Sequence, residues 1–354
     1  MKSIRWSRYP QVAITEWACG WLTMQNNLGL ADATIDAYGR SLKDYLTFCS
    51  NQSIEPTVAK REHIARYVNY LMTVPRQSNS QDERIEPTVG LANATIQQRL
   101  TVVRLVYDYL VEEGQRQTNP VGRGQFTASR GFGQQKRERG LVPRIHKLPW
   151  IPTEAQWQTI LQAAYKERIR NRMMLALAYD AGLRREELCL LRTDDIDPAH
   201  RTVRIRAETT KGKRERIVVY SATTGLLFHT YLIHRQTLSR ERGGLFLSES
   251  PRNRGQPITR WTWSKVVRGV ALRAGVPQFS THTLRHLCLT DLARAGWDLH
   301  AIATFASHRN LSTTLQYIHL SGRDLAEKMI QGMDQIHTWR IQMLAADTSN
   351  GDVQ

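Results

Sequence analysis

A break after residue 118 limits what this chain can fold into. Asn119-Pro120 stops any helix that reaches it, because proline disfavours helical geometry at the residue before it. The residues that follow, from Val121-Gly122-Arg123-Gly124 to Lys136-Arg137-Glu138-Arg139-Gly140, are rich in Gly, Gln and Arg and poor in apolar side chains. Such a stretch buries too little surface to offset the entropy of ordering it. The 354 residues therefore divide. One domain is expected over 1–120 and a mobile basic linker over 121–148. A second domain over 149–345 opens at Leu148-Pro149-Trp150-Ile151-Pro152-Thr153, and a short disordered tail covers 346–354.

The first domain reads as helices. Apolar residues recur about every 3.6 positions at Leu42, Tyr45, Leu46 and Phe48, then at Ile64, Val68 and Leu71. A third stripe runs through Ile96, Leu100, Val103, Leu105, Val106 and Leu110, with Asn93 placed to cap its helix. Trp17 and Trp21 mark an earlier one. Stripes of this kind pack helices on one another, which predicts a small bundle with no chemistry of its own. The second domain also begins with helices, Thr153 capping one and residues 173–179 forming an apolar run. It then changes period: residues 201–206 alternate, as do 215–220 in part, around the polar turn Thr209-Thr210-Lys211-Gly212-Lys213-Arg214. That is a β-hairpin signal. Helical periodicity returns through residue 345, so the chain is predicted to be mostly α with a small β-sheet.

Charge narrows the partner. Lys and Arg number 49 against 32 Asp and Glu, a net charge of +17. Residues 1–120 carry only +1, residues 121–150 carry +6, residues 151–320 carry +12 and residues 321–354 carry −2. A basic linker beside a basic domain suits a surface that tracks phosphates. No stretch approaches the roughly 18 consecutive apolar residues of a membrane span. The start, Met1-Lys2-Ser3-Ile4-Arg5, lacks the apolar run of a secretory signal. Cys19, Cys49, Cys189 and Cys288 lie far apart without a CxxC pair, which argues against a disulfide framework or a zinc ribbon. A soluble, cytoplasmic protein is expected.

Four segments of the second domain hold polar residues that packing does not explain. In Ala181-Gly182-Leu183-Arg184-Arg185-Glu186-Glu187-Leu188, an Arg follows a buried helix and Glu187 stands within helical reach of Arg184. Lys211 occupies the hairpin tip, where a flexible ammonium can reach into a site. Lys213, Arg214 and Arg216 read as phosphate contacts or plain surface, as do Lys136, Arg137 and Arg139 of the linker. In Ser280-Thr281-His282-Thr283-Leu284-Arg285-His286, His282 and Arg285 share a helix face. His282 and His286 have the spacing of zinc ligands, but the Glu of HExxH is missing and no third ligand is evident. Finally, His308 and Tyr317 flank a helix start at Ser312.

The order Arg…Lys…His-x-x-Arg…His…Tyr resembles the tyrosine recombinases, the phage-integrase and Xer-type enzymes that cut and rejoin DNA at specific sites. Gly182-Leu183-Arg184 with Glu187 is similar to the family's first arginine motif, and Lys211-Gly212 to its β-turn lysine. His282-Thr283-Leu284-Arg285 matches His-x-x-Arg, and His308 with Leu311-Ser312-Thr313-Thr314 and Tyr317 matches the last histidine and the nucleophile. The likeness covers about residues 150–320 motif by motif, and 10–120 only as the helical domain such enzymes use to clamp DNA. One departure is Ala306-Ser307, where relatives commonly carry Leu-Gly. Another is Arg185, a second arginine directly beside Arg184.

The resemblance implies a core-binding, SAM-like helical bundle followed by an α/β catalytic domain. It implies transesterification through a 3′-phosphotyrosyl link to Tyr317, with no ATP, metal or other cofactor. Arg184 and Arg285 would hold the phosphate, Lys211 would protonate the leaving 5′-oxygen, and His282 would be the base or hydrogen-bond partner. His308 would hold an oxygen or orient the tyrosine, and Glu187 would support the arginine site. The implied partner is double-stranded DNA with a specific site, bound by a homotetramer on two sites, with accessory DNA-bending or partner recombinase proteins possible. A bacterial or phage-encoded protein of the integrase or transposase kind follows. The stripe Leu325, Met329, Met333, Ile336 fits a terminal helix that docks on its own domain or on a neighbouring protomer. Two alternatives share the features: an activity like that of type IB topoisomerases, and a non-catalytic DNA-binding protein on the same fold.

Overall fold

The computed structural model describes residues 3–74, 89–121, 141–143, 145, 147–210 and 212–320. By its internal contacts the chain forms two units, Met1–Lys147 and Leu148–Gln354. Lys136, Arg137, Arg139, Lys211 and the stripe from Leu325 to Ile336 lie outside the described residues.

The first unit is built on α1 (Pro10–Ile14), α2 (Glu16–Asn27), α3 (Asp32–Asn51), α4 (Arg61–Thr73) and α5 (Asn93–Glu112). The apolar stripes of the sequence form its core: Leu42, Tyr45 and Phe48 of α3, Ile64 and Leu71 of α4, and Leu100, Val103 and Leu110 of α5 are buried together. Two phenols in this core bond to each other, Tyr45 Oη to Tyr107 Oη at 2.6 Å. Asn93 does not cap α5. Ala92 holds the cap position, and the Asn93 side chain bridges Pro143 O (2.9 Å) and Ile145 N (3.1 Å) instead. Gln97 Nε2 likewise donates to Val142 O at 2.6 Å, and Val142 is buried in the core. The first unit thus reaches past Asn119-Pro120, because two apolar residues after the basic stretch return to α5.

The second unit comprises α6 (Glu154–Tyr165), α7 (Ile169–Asp180), α8 (Arg185–Cys189), β1 (Ile196–Asp197), β2 (Thr202–Ile205), β3 (Arg216–Val219), α9 (Ala222–Gln236), α10 (Arg260–Arg273), α11 (Thr281–Arg294), α12 (Leu299–Ala306) and α13 (Ser312–Leu320). It is mostly helical with one small sheet, of order β1-β2-β3 and antiparallel throughout. Val203 pairs with Val218 and Ile205 with Arg216. Strand β1 has only two residues, too short to show a period in the sequence. Thr153 caps α6 as expected: its Oγ1 accepts from Gln156 N at 3.3 Å, and Gln156 returns a bond to Thr153 N.

Helix α7 is buried around its circumference, with Met173, Met174 and Leu177 in the core, and packs against α9 and α11. Tyr179 Oη donates to Asp291 Oδ2 at 2.8 Å and ties α7 to α11. Among the described residues no helix is long and apolar enough to cross a membrane. All four cysteines are free thiols.

Gly182 ends α7 in the left-handed region at φ 55°. A Cβ there would stand 3.1 Å from Phe305 Cε1 and 3.4 Å from Cys288 Sγ. Gly182→Ala is expected to cost about 1–3 kcal/mol. It should lower the unfolding midpoint of this unit by several degrees in a thermal scan, at roughly 2–4 °C per kcal/mol. An unchanged midpoint would contradict the strained turn.

Candidate active site

The last turn of α12 is where the site is assembled. An α-helix leaves its final carbonyls without partners and carries partial negative charge at that end. Here three consecutive carbonyls are each taken by a different arginine. Arg216 Nε donates to Phe305 O (3.1 Å), Arg285 Nη2 to Ala306 O (2.6 Å) and Arg184 Nη2 to Ser307 O (3.3 Å). Arg285, on α11, also donates through Nη1 to Gly182 O at 2.6 Å. Its side chain is buried, and burial, then the neighbouring Arg184, lower its pKa to about 10.

Glu187 lies beneath this arrangement at 1% exposure. Its carboxylate accepts from Arg184 N (3.0 Å) and Nη1 (2.8 Å), and from Arg216 Nη1 (3.1 Å) and Nη2 (2.7 Å). Burial alone would raise its pKa; the bidentate Arg216 bond and the Arg184 bonds overcome that and bring it to about 2. Two guanidiniums thus share one carboxylate, and with Arg285 beside them the cluster keeps a surplus of positive charge. Arg185 takes no part: its Nη1 donates to Ser264 Oγ on α10 at 3.1 Å.

From Arg285 the contacts run on to the tyrosine. Arg285 Nη2 lies 3.1 Å from His308 Nε2, and His308 Nδ1 lies 2.8 Å from Thr314 Oγ1, itself buried. Arginine has only donors, so Nε2 accepts and the proton sits on Nδ1, which donates to Thr314. Burial, and then Arg285, Arg184 and Arg216, hold the His308 pKa near 3. The His308 ring stacks on Tyr317, with centroids 5.9 Å apart and planes 8° from parallel. Tyr317 is 2% exposed, and its hydroxyl lies 3.0 Å from His286 Nδ1. Burial raises its pKa, against the opposing field of Arg285.

Of the sequence-predicted residues, Arg184, Glu187, Arg285, His308 and Tyr317 come together. His282 lies exposed at the start of α11; enclosure of its ring and then Arg185, Arg285 and Arg184 depress its pKa. The tyrosine's imidazole partner is His286, one turn further on, whose spacing from His282 in the sequence suggests only a zinc ligand. Among the described residues no three His, Cys, Asp or Glu side chains converge as a metal requires. Lys213 and Arg214 stand exposed on the hairpin, Lys213 in the left-handed region at φ 49°. Arg216 was expected beside them as a phosphate contact, but its side chain is 7% exposed and committed to Glu187 and Phe305 O. Strand alternation carried the signal: Arg216 shares the inner face with Val218, while Ile217 and Val219 point outward. A cleft of about 570 Å³ opens beside the cluster, lined by Gly212, Arg214, Arg216, Ser307, His308 and Arg309 among others.

The chain is similar in sequence and in fold to known proteins. The sequence profile of the phage integrase family matches residues 152–323. Tyrosine recombinase XerC of Thermodesulfovibrio yellowstonii is 31% identical over 265 residues, covering 69% of this chain and 81% of the relative. Transposase A from transposon Tn554 of Staphylococcus aureus is 27% identical over 321 residues, covering 85% of this chain and 86% of that one. Among solved structures, XerH site-specific recombinase in a post-cleavage complex with palindromic difH substrate has a TM-score of 0.63 at 18% identity, covering 90% of this chain and 85% of that one. A lambda integrase dimer bound to a COC′ core site has a TM-score of 0.60 at 16% identity, covering 86% and 94%. These two structures bear on the fold alone.

The buried imidazoles predict a pH dependence. His308 near 3 and His286 near 4 are neutral when folded, whereas an unfolded histidine titrates near ~6.5. The unfolded chain therefore binds more protons between those values, and stability falls as the pH drops from ~6.5 toward 4. The unfolding midpoint should be flat above pH ~7 and fall below ~6.5. Replacing His308 with Asn should flatten part of that slope. A midpoint unchanged from pH 7 to 5 would mean that these rings are charged in the fold.

Proposed function

The chain belongs to the tyrosine recombinase family, enzymes that cut and rejoin DNA, and from that premise we propose that it works through Tyr317 as nucleophile. DNA is its partner, and the chain is a site-specific recombinase. In the proposed step the Tyr317 oxygen attacks the scissile phosphorus. A 3′-phosphotyrosyl bond forms, the bond to the 5′-oxygen breaks, and that oxygen leaves with a proton. The ester bond is kept as a protein–DNA link, so a second 5′-hydroxyl reverses the step without ATP or metal. One observation carries this reading: Tyr317 stacks on His308, and His308 accepts from Arg285, which shares the end of α12 with Arg184.

The pentavalent transition state gathers charge on its non-bridging oxygens, and planar guanidiniums that stay charged at neutral pH suit it. Arg184, its side chain 27% exposed, meets the phosphate from the open side. Arg285 reinforces it from below. Glu187 and Arg216 keep Arg184 in place. His308, neutral and fixed by Thr314, contributes an acceptor and a face for the phenol. Lys211, between Thr210 and Gly212 in the sequence, is the proposed acid for the 5′-oxygen. His282, next to the arginines, is proposed to touch the phosphate side of the site and not the tyrosine. Lys213 and Arg214 are proposed backbone contacts, as are Lys136, Arg137 and Arg139 of the linker. A homotetramer on two DNA sites is the proposed assembly, completed by residues 323–354 and assisted by accessory proteins where the DNA must bend.

Tyr317→Phe should abolish covalent protein–DNA adducts on denaturing gels while leaving DNA affinity within a factor of about two. Adducts that persist would remove the nucleophile. Deleting residues 323–354 should preserve DNA binding but end pairing of sites and recombination. Recombination at the full-length rate by the truncated chain would remove the docking role of that segment.

A further inference from the structure

We propose that His286 is a positioning residue for the nucleophile: its Nδ1 accepts the hydrogen bond of the Tyr317 hydroxyl and holds the phenol beside the His308–Arg285 pair. The proposal rests on Tyr317 being the nucleophile. Four observations support it. The distance, 3.0 Å, is that of a hydrogen bond. Burial favours the neutral phenol at Tyr317, so an O–H is there to donate, and Nδ1 accepts it in the tautomer that carries the His286 proton on Nε2. His286 is also neutral, because burial, then His282 and Arg285, hold its pKa near 4, so one ring nitrogen can accept. The two imidazoles also meet the phenol ring at different angles. His308 stacks parallel to it at 5.9 Å, and the His286 ring is tilted by 34° at 5.7 Å.

Position in the fold completes the case. His286 follows Arg285 directly on α11, whose register is fixed by Leu284, Leu287, Cys288 and Leu289 in the core. The helix that holds the phosphate-binding arginine therefore also holds the tyrosine's acceptor, and the two cannot drift apart. Tyr317 sits on α13, which meets α11 and α12. Without the acceptor, a hydroxyl at 2% exposure loses its partner at His286, and the ring gains other positions. A displacement of about 1 Å at a reacting atom costs on the order of 100-fold in rate.

The test uses the full chain and nicked duplexes tiled across the DNA flanking its own coding sequence, with adduct formation timed on those the wild type links. His286→Ala should slow adduct formation by about 10–100-fold at unchanged duplex affinity. His286→Asn, which restores an acceptor near the Nδ1 position, should recover to within a few-fold of wild type. His286→Phe, which keeps the ring and loses the acceptor, should stay slow. Wild-type rates in His286→Ala, or recovery by Phe and not by Asn, would overturn the proposal in favour of packing alone. Tyr317→Phe separates the two ideas. Adducts in that variant remove the nucleophile itself, whereas their loss there, with His286→Ala unimpaired, removes only the positioning. A second arm needs no DNA: nitration of Tyr317 by tetranitromethane, read by peptide mass, should be several-fold faster in His286→Ala than in wild type or His286→Asn. Equal rates in all three would also overturn the proposal.

Discussion

Three guanidiniums cannot leave water together unless negative charge is waiting for them. Removing one partner from a buried ion pair costs about 3–5 kcal/mol, and a lone buried charge costs more. In this fold the compensation comes from two sources. Glu187 supplies a full charge to Arg184 and Arg216 through four hydrogen bonds. The end of α12 supplies the rest, with Phe305, Ala306 and Ser307 each offering a carbonyl that the helix leaves unpaired. The surplus positive charge that remains is held in place before any anion arrives.

That arrangement joins parts of the second unit far apart in sequence. The loop after α7 contributes Arg184 and Gly182 O, strand β3 contributes Arg216, and helix α11 contributes Arg285. All meet one helix terminus, and the residue that follows it is His308, which touches both Arg285 and the tyrosine ring. On the proposed reading, a nucleophile, an acceptor and two cations are therefore all built on backbone positions fixed by the core. Cationic donors already aimed need no reorganisation when charge develops.

Much of this was legible in the chain itself. The stripes through Leu42, Ile64 and Leu100 foretold the helical unit because burial there is one-sided and periodic. The polar residues at 184, 187, 285, 308 and 317 stood out because packing gave no reason for them. What failed did so for local causes. Asn93 looked like a cap, but the returning segment at Pro143 and Ile145 offered its amide better partners. Arg216 looked like surface because charge suggests solvent, yet its strand register turns it inward toward Glu187. The link from His286 to the tyrosine is not legible because helical spacing shows which residues share a face and not what packs opposite them; the tyrosine that meets it lies 31 residues later.

The corner after α12 also explains a departure in the sequence. Ser307 adopts the left-handed conformation, φ 51° and ψ 54°, that usually selects glycine, and Ala306 precedes it. Neither side chain supplies a bond to the arginines, which hold main-chain oxygens. Identity at 307 can therefore drift while the anchor survives, at the modest expense of one strained torsion. Length cannot drift. One residue inserted or deleted within α12 would turn its end by roughly 100°, swinging all three oxygens from their guanidiniums at once. Position 307 should accept exchanges of one side chain for another, whereas α12 should reject changes in the number of residues.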